Sequence, residues 1–255
     1  MRPDENIEPD KVDMPTNQVK AHTVLHPSLD GVRAVLFDVG GTLLHPDWER
    51  LARLASKGAG REFKPAELGR KFKEMMCAVD AGMQRGEPAP EDSRRRNWVF
   101  RRVYRALEID DTICDALSDQ IDATHAERHL WCAPDEEAAR VLGALKEAGF
   151  RLAVISNTED GRLDELLELV ELKQYFDLLI DSHVVGQRKP DPAIFHLTLA
   201  RLGLDAREAV FIGDSYAHDA LAALSVGMRA ILLDPLDLYP DSTCPRIRTL
   251  GKLIG

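Results

Sequence analysis

Four separated stretches of this 255-residue sequence carry side chains that can do chemistry. Together they supply carboxylates, a hydroxyl, an amide and an ammonium, from Asp38, Ser156, Asn157, Lys189, Asp214 and Asp219. Carboxylate oxygens hold divalent cations such as Mg²⁺, and a carboxylate can attack an electrophile to form a covalent intermediate. A lysine ammonium offsets the charge of an anion bound beside it. If the fold gathers these groups, they predict chemistry on an anionic substrate.

Short apolar runs precede most of these residues and predict the strands that position them. Runs rich in aliphatic residues predict buried strands at 33–38, 151–156, 176–180, 209–214 and 229–233. Helical patterns alternate with them at 134–148, 160–170, 191–203 and 216–226. This alternation predicts an α/β fold with a doubly wound parallel sheet. Ligands bind outside the carboxyl ends of the strands in such a sheet, which is where the candidate residues lie.

Prolines and acidic residues predict where two of these helices begin. Pro134 is followed by three acids, which stabilise a helix N-terminus, so we expect helix 134–148 to begin there. Asp191 can cap helix 191–203, and Pro192 suits its first turn. Both predictions rest on local chemistry alone.

The pattern changes to helices alone between the first strand and the next. Residues 46–132 contain four helical stretches and no convincing strand, which predicts an all-helical insertion. We therefore expect residues 31–45 and 133–255 to form one α/β core around that insertion. Residues 1–30 carry four prolines without periodicity and predict an irregular leader.

Composition excludes several classes of function. The net charge of −10 argues against non-specific binding of nucleic acid. No run of 18 apolar residues is present, which argues against a membrane span. The acidic start of the chain does not fit a secretory signal or a transit peptide. The four cysteines are scattered along the chain, at Cys77, Cys114, Cys132 and Cys244, and indicate neither a zinc site nor a disulfide framework. We therefore expect the protein to reside in the reducing cytoplasm. Oligomeric state is not indicated.

Four motifs in this order resemble those of the haloacid dehalogenase superfamily, over nearly the whole chain after residue 32. They are DVGGTLL with Asp38, VISNT with Ser156, GQRKPDPAIF with Lys189, and VFIGDSYAHD with Asp214 and Asp219. The resemblance implies a Rossmann-like core, and the helical insertion looks like the superfamily's cap of the first type. It also implies a hydrolase that uses Mg²⁺ and acts on a small phosphorylated substrate.

The resemblance assigns a role to each matching residue. Asp38 would be the nucleophile that forms an aspartyl-phosphate, with Ser156 and Lys189 completing the catalytic set. The metal would be held by Asp38, Asp214, Asp219 and the main-chain carbonyl of Gly40. Phosphoryl oxygens would be bound by Gly41, Thr42 and Asn157.

Position 40 departs from the pattern of the superfamily's phosphatases. They carry an acid there, which protonates the leaving group and then activates water, and Gly40 can do neither. We expect a metal-dependent phosphatase that acts on good leaving groups or takes a proton carrier from the cap. A dehalogenase-like hydrolase and a catalytically impaired binding protein on the same scaffold are the alternatives. A phosphonate-cleaving enzyme would need a cap lysine, and none of Lys57, Lys64, Lys71 and Lys73 stands out.

Several of these residues also have purely structural interpretations. Asp38 could end a strand, Lys189 could be a solvated loop lysine, and Ser156 could form a turn. Asp219 could be a surface acid on a helix. His45 is interpreted as a loop histidine or as a group that reaches the leaving group. An arginine of the third helical stretch of the insertion, residues 91–109, could hold an anionic substrate instead of facing solvent.

Overall fold

The computed structural model describes residues 24–88, 90 and 97–255. Strands in this part of the chain are β1 (Ala34–Phe37), β2 (Leu44–His45), β3 (Ala133–Pro134), β4 (Arg151–Ser156), β5 (Leu178–Asp181), β6 (Ala209–Gly213), β7 (Arg229–Leu233) and β8 (Arg246–Ile247). Helices are α1 (Trp48–Ala59), α2 (Pro65–Gln84), α3 (Trp98–Ala106), α4 (Asp111–Glu127), α5 (Ala138–Glu147), α6 (Leu163–Leu169), α7 (Ser182–Val185), α8 (Pro192–Leu202) and α9 (Ala222–Ser225).

Six strands form one parallel sheet in the order β5-β4-β1-β6-β7-β8. β1 lies between β4 and β6, so the first strand of the chain is central in the sheet. Its side chains alternate between two buried layers: Val35 and Phe37 face one hydrophobic cluster, and Ala34 and Leu36 face the other. Burial on both faces explains the continuous apolar run, and the predicted doubly wound α/β fold is confirmed.

The helices from α1 to α4 pack around a hydrophobic cluster of their own. Four aromatic rings connect it: Trp48 lies against Phe72 and Phe100, and Trp131 contacts the same two rings. We refer to α1–α4 as the cap helices, a label taken from the prediction for residues 46–132. Residues 91–96, part of the third predicted helix, lie outside the described residues. None of the described helices is long and apolar enough to cross a membrane.

The predicted start of helix 134–148 is wrong. Pro134 lies in β3, which pairs antiparallel with β2, and α5 begins only at Ala138. The acids after Pro134 form a turn instead, since Asp135 Oδ1 accepts the amide of Glu137 at 2.9 Å. Extended pairing with Leu44 therefore prevails over the local helix signal at Pro134. By contrast, Asp191 does cap α8, because its side chain accepts the amide of Ala193.

Three other features differ from the sequence patterns. The predicted helix 216–226 starts as a π-helical segment, Tyr216–Leu221, before α9. The short elements α7 and β8 were not predicted. Residues 24–30 are more ordered than the predicted leader, because they form a 3₁₀ turn whose Leu29 is buried in the core. The remainder of that leader, 1–23, lies outside the described residues.

Candidate active site

Asp38 lies directly after β1, at the carboxyl edge of the sheet. Its amide donates to the carbonyl of Ile212 at 2.9 Å, which continues the strand pairing to β6. The Lys189 ammonium donates to Asp38 Oδ1 at 2.6 Å and to Asp219 Oδ1 at 2.7 Å. Lys189 is only 3% exposed, so this is a buried pairing of one ammonium with two carboxylates. The structural interpretations of Lys189 and Asp219 as solvated residues therefore fail.

Asp214 is the third carboxylate of the group. One carboxylate oxygen from each of Asp38, Asp214 and Asp219 lies within 4.8 Å of the others. Gly41 makes room for this approach, because its φ is +93° and a Cβ there would overlap the Asp214 carboxylate. Asp219 is fixed from the other side, since the amide of Ser215 donates to its Oδ2 at 3.1 Å.

Burial and mutual repulsion perturb these groups. Burial, assisted by the charges of Asp219 and Asp214, raises the pKa of Asp38 to about 7 even against the attraction of Lys189. Burial likewise raises the pKa of Asp219. For Lys189, burial alone would lower the pKa, but the two carboxylates outweigh it and the pKa is raised. The ammonium is therefore held in its charged form, and the acidic cluster attracts further positive charge.

The donor set of this cluster fits a hard divalent cation. All of its ligand atoms are oxygens, as Mg²⁺ prefers, and three carboxylates exceed the charge of Lys189. Among the described residues, Asp38 Oδ2 is buried with no hydrogen-bond partner, and so is Thr42 Oγ1. Buried polar atoms in proteins are nearly always partnered, so these two atoms point to a ligand at this edge of the sheet.

A cap lysine reaches the same cluster. Lys73 of α2 donates to Asp214 Oδ2 at 2.6 Å and to the carbonyl of Gly41 at 2.9 Å. The sequence analysis did not single it out from the neighbouring Lys71, whose ammonium pairs with Glu74 on its own helix. Nothing in the local pattern distinguishes the two lysines, because the difference is which face of α2 meets the core.

Asp80, also on α2, joins the cap helix to the segment that carries Asp219. It is fully buried and accepts the hydroxyl of Ser215 at 2.7 Å and the amide of Tyr216 at 2.6 Å. The Tyr239 hydroxyl donates to it at 2.8 Å. Asp80 on α2 thus accepts a hydrogen bond from a backbone amide at the N-terminus of the π-helical segment. Asp80 was not identified from the sequence, although Lys73 and Asp80 lie seven residues apart and share a helix face.

The cluster forms one end of a cavity of about 320 Å³. Residues 46–132 also contribute to the lining of this cavity, through Phe72, Met76, Trp98, Val99 and Trp131. Of the other predicted residues, Ser156 and Asn157 line the cavity. The Asn157 amide, however, bonds to both the backbone amide and the carbonyl of Lys189 at 2.9 Å. It therefore positions Lys189, and direct contact between Asn157 and a phosphoryl group stays a prediction.

A second group of potential ligands, His125, His129 and Asp160, lines the same cavity. His125 Nδ1 accepts the amide of Leu130 at 3.5 Å, and His129 Nδ1 accepts the amide of Trp131 at 3.2 Å. These bonds place the imidazole protons on Nε2, which faces Asp160 Oδ2 at 3.4 and 3.7 Å. A metal ion bound to Nε2 would need that nitrogen without its proton. The geometry therefore favours N–H donation from the two histidines to the Asp160 carboxylate over a metal site.

Other candidates lie away from the cavity. His45 Nε2 lies 3.2 Å from Asp135 Oδ2, and His45 does not line the cavity, so its proposed reach to a leaving group is not supported. On α3, Arg101 pairs with an acid of α4. Among the described residues, the arginines that line the cavity are Arg162 and Arg188.

Comparisons with known proteins agree with this geometry. The sequence model of the family described as haloacid dehalogenase-like hydrolase matches residues 32–227. Haloacid dehalogenase-like hydrolase domain-containing protein 3 of Bos taurus is 29% identical over 231 residues, covering 87% of this chain and 91% of that protein. A ribulose-1,5-bisphosphate 5-phosphatase of Halopiger xanaduensis is 31% identical over 205 residues, covering 79% and 84%.

Solved structures show the same fold. A HAD phosphatase from Thermococcus onnurineus matches with a TM-score of 0.54 and 25% identity, covering 87% of this chain and 96% of that one. The family match begins just before β1 and extends through the segment that carries Asp219, so it spans the buried cluster. This chain therefore belongs to the haloacid dehalogenase-like hydrolases.

Proposed function

We propose that this hydrolase is a Mg²⁺-dependent phosphatase of a small phosphorylated metabolite and works through an aspartyl-phosphate on Asp38. One observation carries the proposal. Asp38 has one oxygen on the Lys189 ammonium, while its other oxygen is buried without a partner beside Asp214 and Asp219. A carboxylate in this setting is oriented, has a free lone pair, and needs added positive charge before it can approach a phosphate.

The residues that would hold Mg²⁺ are Asp38, Asp214 and Asp219, with the Gly40 carbonyl as the predicted main-chain ligand. When bound, the ion would offset the repulsion between the Asp38 carboxylate and the phosphate. Asp38 attacks phosphorus, the bond to the leaving oxygen breaks, and that oxygen keeps the electron pair. Lys189 neutralises charge on the phosphoryl oxygens, and the Thr42 hydroxyl can donate to them. Water then attacks phosphorus, releasing phosphate and restoring Asp38.

The cap helices and the α/β core would have different roles in the reaction. We propose that residues 46–132 form a cap that covers the cavity, with residues 31–45 and 133–255 as the catalytic core. The cavity volume of about 320 Å³ suits a small substrate. The relative from Halopiger xanaduensis is named a phosphatase, which supports a phosphorylated substrate. Four unpaired cysteines support a reducing cytoplasm.

The decisive experiment compares the wild type with Asp38→Asn on a panel of phosphate esters, with and without Mg²⁺. The variant keeps the shape of the side chain and loses the charge, so it should fold and show no turnover. Asp177→Asn is the matched control, because Asp177 is an acid that precedes β5 and does not line the cavity. Rapid-quench measurements should also show an acid-stable phosphoenzyme on the wild type. Full activity in Asp38→Asn would refute the proposal.

A dehalogenase-like hydrolase is the second candidate, and one observation favours it. The ammoniums of Lys73 and Lys189 together offset two of the three carboxylate charges, so the cluster depends less on a divalent cation than it would with Lys189 alone. Asp38 would then attack a carbon that bears a halide. Halide release from 2-haloacids in the presence of EDTA, with no release of phosphate from any ester, would establish this alternative.

A further inference from the structure

Trp131 lines the cavity and lies beside Gly40, in the turn that follows Asp38. A Cβ placed on Gly40 would lie 3.2 Å from Cζ3 and 3.3 Å from Cε3 of the indole. Position 40 therefore faces the six-membered ring of Trp131, and a side chain there would lie closer to the ring than an ordinary van der Waals contact. Any group attached to a phosphate on Asp38 enters a cavity whose wall at this point is aromatic and carries no acid.

The indole is held in place from two sides. Its ring packs against Phe72 and Phe100, each with a centroid distance of 5.8 Å. Its backbone amide donates to His129 Nδ1 at 3.2 Å. Trp131 nevertheless stays partly accessible and lines the cavity together with Phe72 and Trp98. A wall of this kind is preorganised to pack against a flat apolar ring.

The chemistry of position 40 points to the same kind of substrate. With glycine there, no side chain at that position can protonate the departing oxygen. A phenolic oxygen leaves as an anion readily, because its conjugate acid has a pKa of about 10, as in tyrosine. An alkoxide without a proton donor is a far poorer leaving group. The aromatic wall at Trp131 and the absence of an acid at position 40 are separate observations. Both favour a substrate with an aromatic leaving group.

We propose that the substrates are small aryl phosphate monoesters and that Trp131 is the residue that selects their aromatic ring. This inference rests on the proposed phosphatase function and narrows its substrate class. The ring packs on the indole while the phosphate reaches Asp38 and Lys189. Asp38 attacks phosphorus, the bond between phosphorus and the aryl oxygen breaks, and the aryloxide departs with the electron pair into the cavity.

Three substrates separate the contribution of the ring from that of the leaving group. Phenyl phosphate has both the ring and the good leaving group, benzyl phosphate has the ring with an alkoxide, and acetyl phosphate has a good leaving group without a ring. We expect kcat/KM for phenyl phosphate to exceed that for benzyl phosphate by about 10²-fold or more, the scale of a missing acid. Equal values for the two would overturn the leaving-group part of the inference.

Variants of Trp131 test the role of the ring. Trp131→Leu should raise KM for phenyl phosphate roughly 3- to 10-fold, with a smaller change in kcat, as expected for a lost aromatic contact. The rise in KM for acetyl phosphate should be several times smaller. Trp131→Phe should recover most of the affinity for phenyl phosphate. Equal increases for both substrates would show that the indole has only a structural role.

Trp48→Leu is the matched control. Trp48 packs on Phe72 and Phe100 in the same aromatic cluster but does not line the cavity. It should not change the ratio of KM values between phenyl and acetyl phosphate. If Trp131→Leu fails to fold, titration of Trp131→Phe with phenylphosphonate replaces it. In a Trp98→Phe background, which removes the other cavity-lining tryptophan, binding of that analogue should perturb tryptophan fluorescence when Trp131 is present and much less after Trp131→Phe. Equal changes with and without Trp131 would overturn its role.

The outcomes also separate this inference from the proposed function. Hydrolysis of acetyl phosphate that depends on Asp38, with none of phenyl phosphate, would overturn the aryl inference and leave the phosphatase function standing. No hydrolysis of any of the three phosphorylated compounds would overturn the phosphatase function itself.

Discussion

The ammonium of Lys73 lies 2.6 Å from Oδ2 of Asp214, so a cap helix contributes a positive charge to the carboxylate cluster of the core. The same ammonium donates to the carbonyl of Gly41, beside the turn that follows Asp38. Lys73 therefore occupies one of the carboxylate oxygens available to a cation. In the proposed Mg²⁺ site, the Lys73 contact and metal binding would compete for Asp214, and such a coupling acts in both directions.

Removing this ammonium should strengthen metal binding. Lys73→Ala frees Asp214 Oδ2 and removes a like charge, so we expect the Kd for Mg²⁺ to fall roughly 3- to 10-fold, or about 0.7–1.4 kcal/mol. Titration calorimetry with Mg²⁺ measures this directly. Lys71→Ala, on the same helix and paired with Glu74, should leave the Kd unchanged. Weaker binding in Lys73→Ala would mean that the lysine supports the cation instead of competing with it.

Asp80 should be among the most sensitive positions for stability. Truncation in Asp80→Ala leaves the Ser215 hydroxyl, the Tyr216 amide and the Tyr239 hydroxyl without their buried acceptor. We expect the free energy of unfolding to fall by about 3 kcal/mol. Urea unfolding followed by circular dichroism measures the loss. The exposed Asp119→Ala serves as the control and should change stability by less than about 0.5 kcal/mol. A similar small change in both would show that Asp80 does not hold the cap to the core.

The sequence predicted most of the sheet and the residues at its edge. Strand β4 was predicted at its observed bounds, 151–156, and its apolar run is what burial on both faces requires. Asp38, Lys189 and Asp219 were brought together correctly, because parallel strands deliver their carboxyl ends to one edge.

The cap contributions could not be predicted in the same way. Lys73, Asp80 and Trp131 act through contacts between the cap and the core, which no periodicity within a helix specifies. Pro134 shows the related error within the core, since a strand pairing 90 residues away outweighs local helix signals. Local sequence patterns were thus enough to predict the functional side chains at the edge of the sheet. Which residues of 46–132 contact them depends on tertiary packing.

The cluster of His125 and Asp160 predicts a pH dependence of stability. Hydrogen bonding from His125 lowers the pKa of the Asp160 carboxyl from 3.8 to about 2. A carboxyl whose pKa is lowered by folding stabilises the protein at pH values above its pKa in the unfolded state. This contribution disappears as the pH falls through its pKa in the folded state. At pH 7 the shift corresponds to about 2 kcal/mol.

Asp160→Asn should therefore cost about 2 kcal/mol of unfolding free energy at pH 7 and at pH 5, and about half of that at pH 3. Urea titrations of the wild type and the variant at the three pH values give the difference directly. Asp164→Asn is the control, because Asp164 pairs with Lys173 on the exposed surface. A difference between wild type and Asp160→Asn that does not shrink toward pH 3 would show that the carboxylate charge is not what stabilises the cluster.

The absent acid at position 40 can be restored, and the structure shows what opposes it. Gly40 does not have the positive φ that would disfavour a side chain, so the backbone accepts aspartate. The obstacle is Trp131, whose ring lies 3.2 Å from the new Cβ. We therefore expect Gly40→Asp alone to fold with some loss of stability and to gain little activity on alkyl phosphates.

Removing the contact between Trp131 and the new side chain at position 40 should allow activity on alkyl phosphates to rise. In the double variant Gly40→Asp with Trp131→Leu, the new carboxyl has room to reach the leaving oxygen and the attacking water. Hydrolysis of alkyl phosphates such as benzyl phosphate should then rise by about 10²–10⁴-fold, as expected for general acid–base catalysis. Trp131→Leu alone is the control and should show no such rise. Steady-state and rapid-quench kinetics together test the mechanism, because the phosphoenzyme should accumulate in the wild type and not in the double variant. A well-folded double variant that binds Mg²⁺ and gains nothing on any ester would count against phosphatase function and favour the dehalogenase-like alternative.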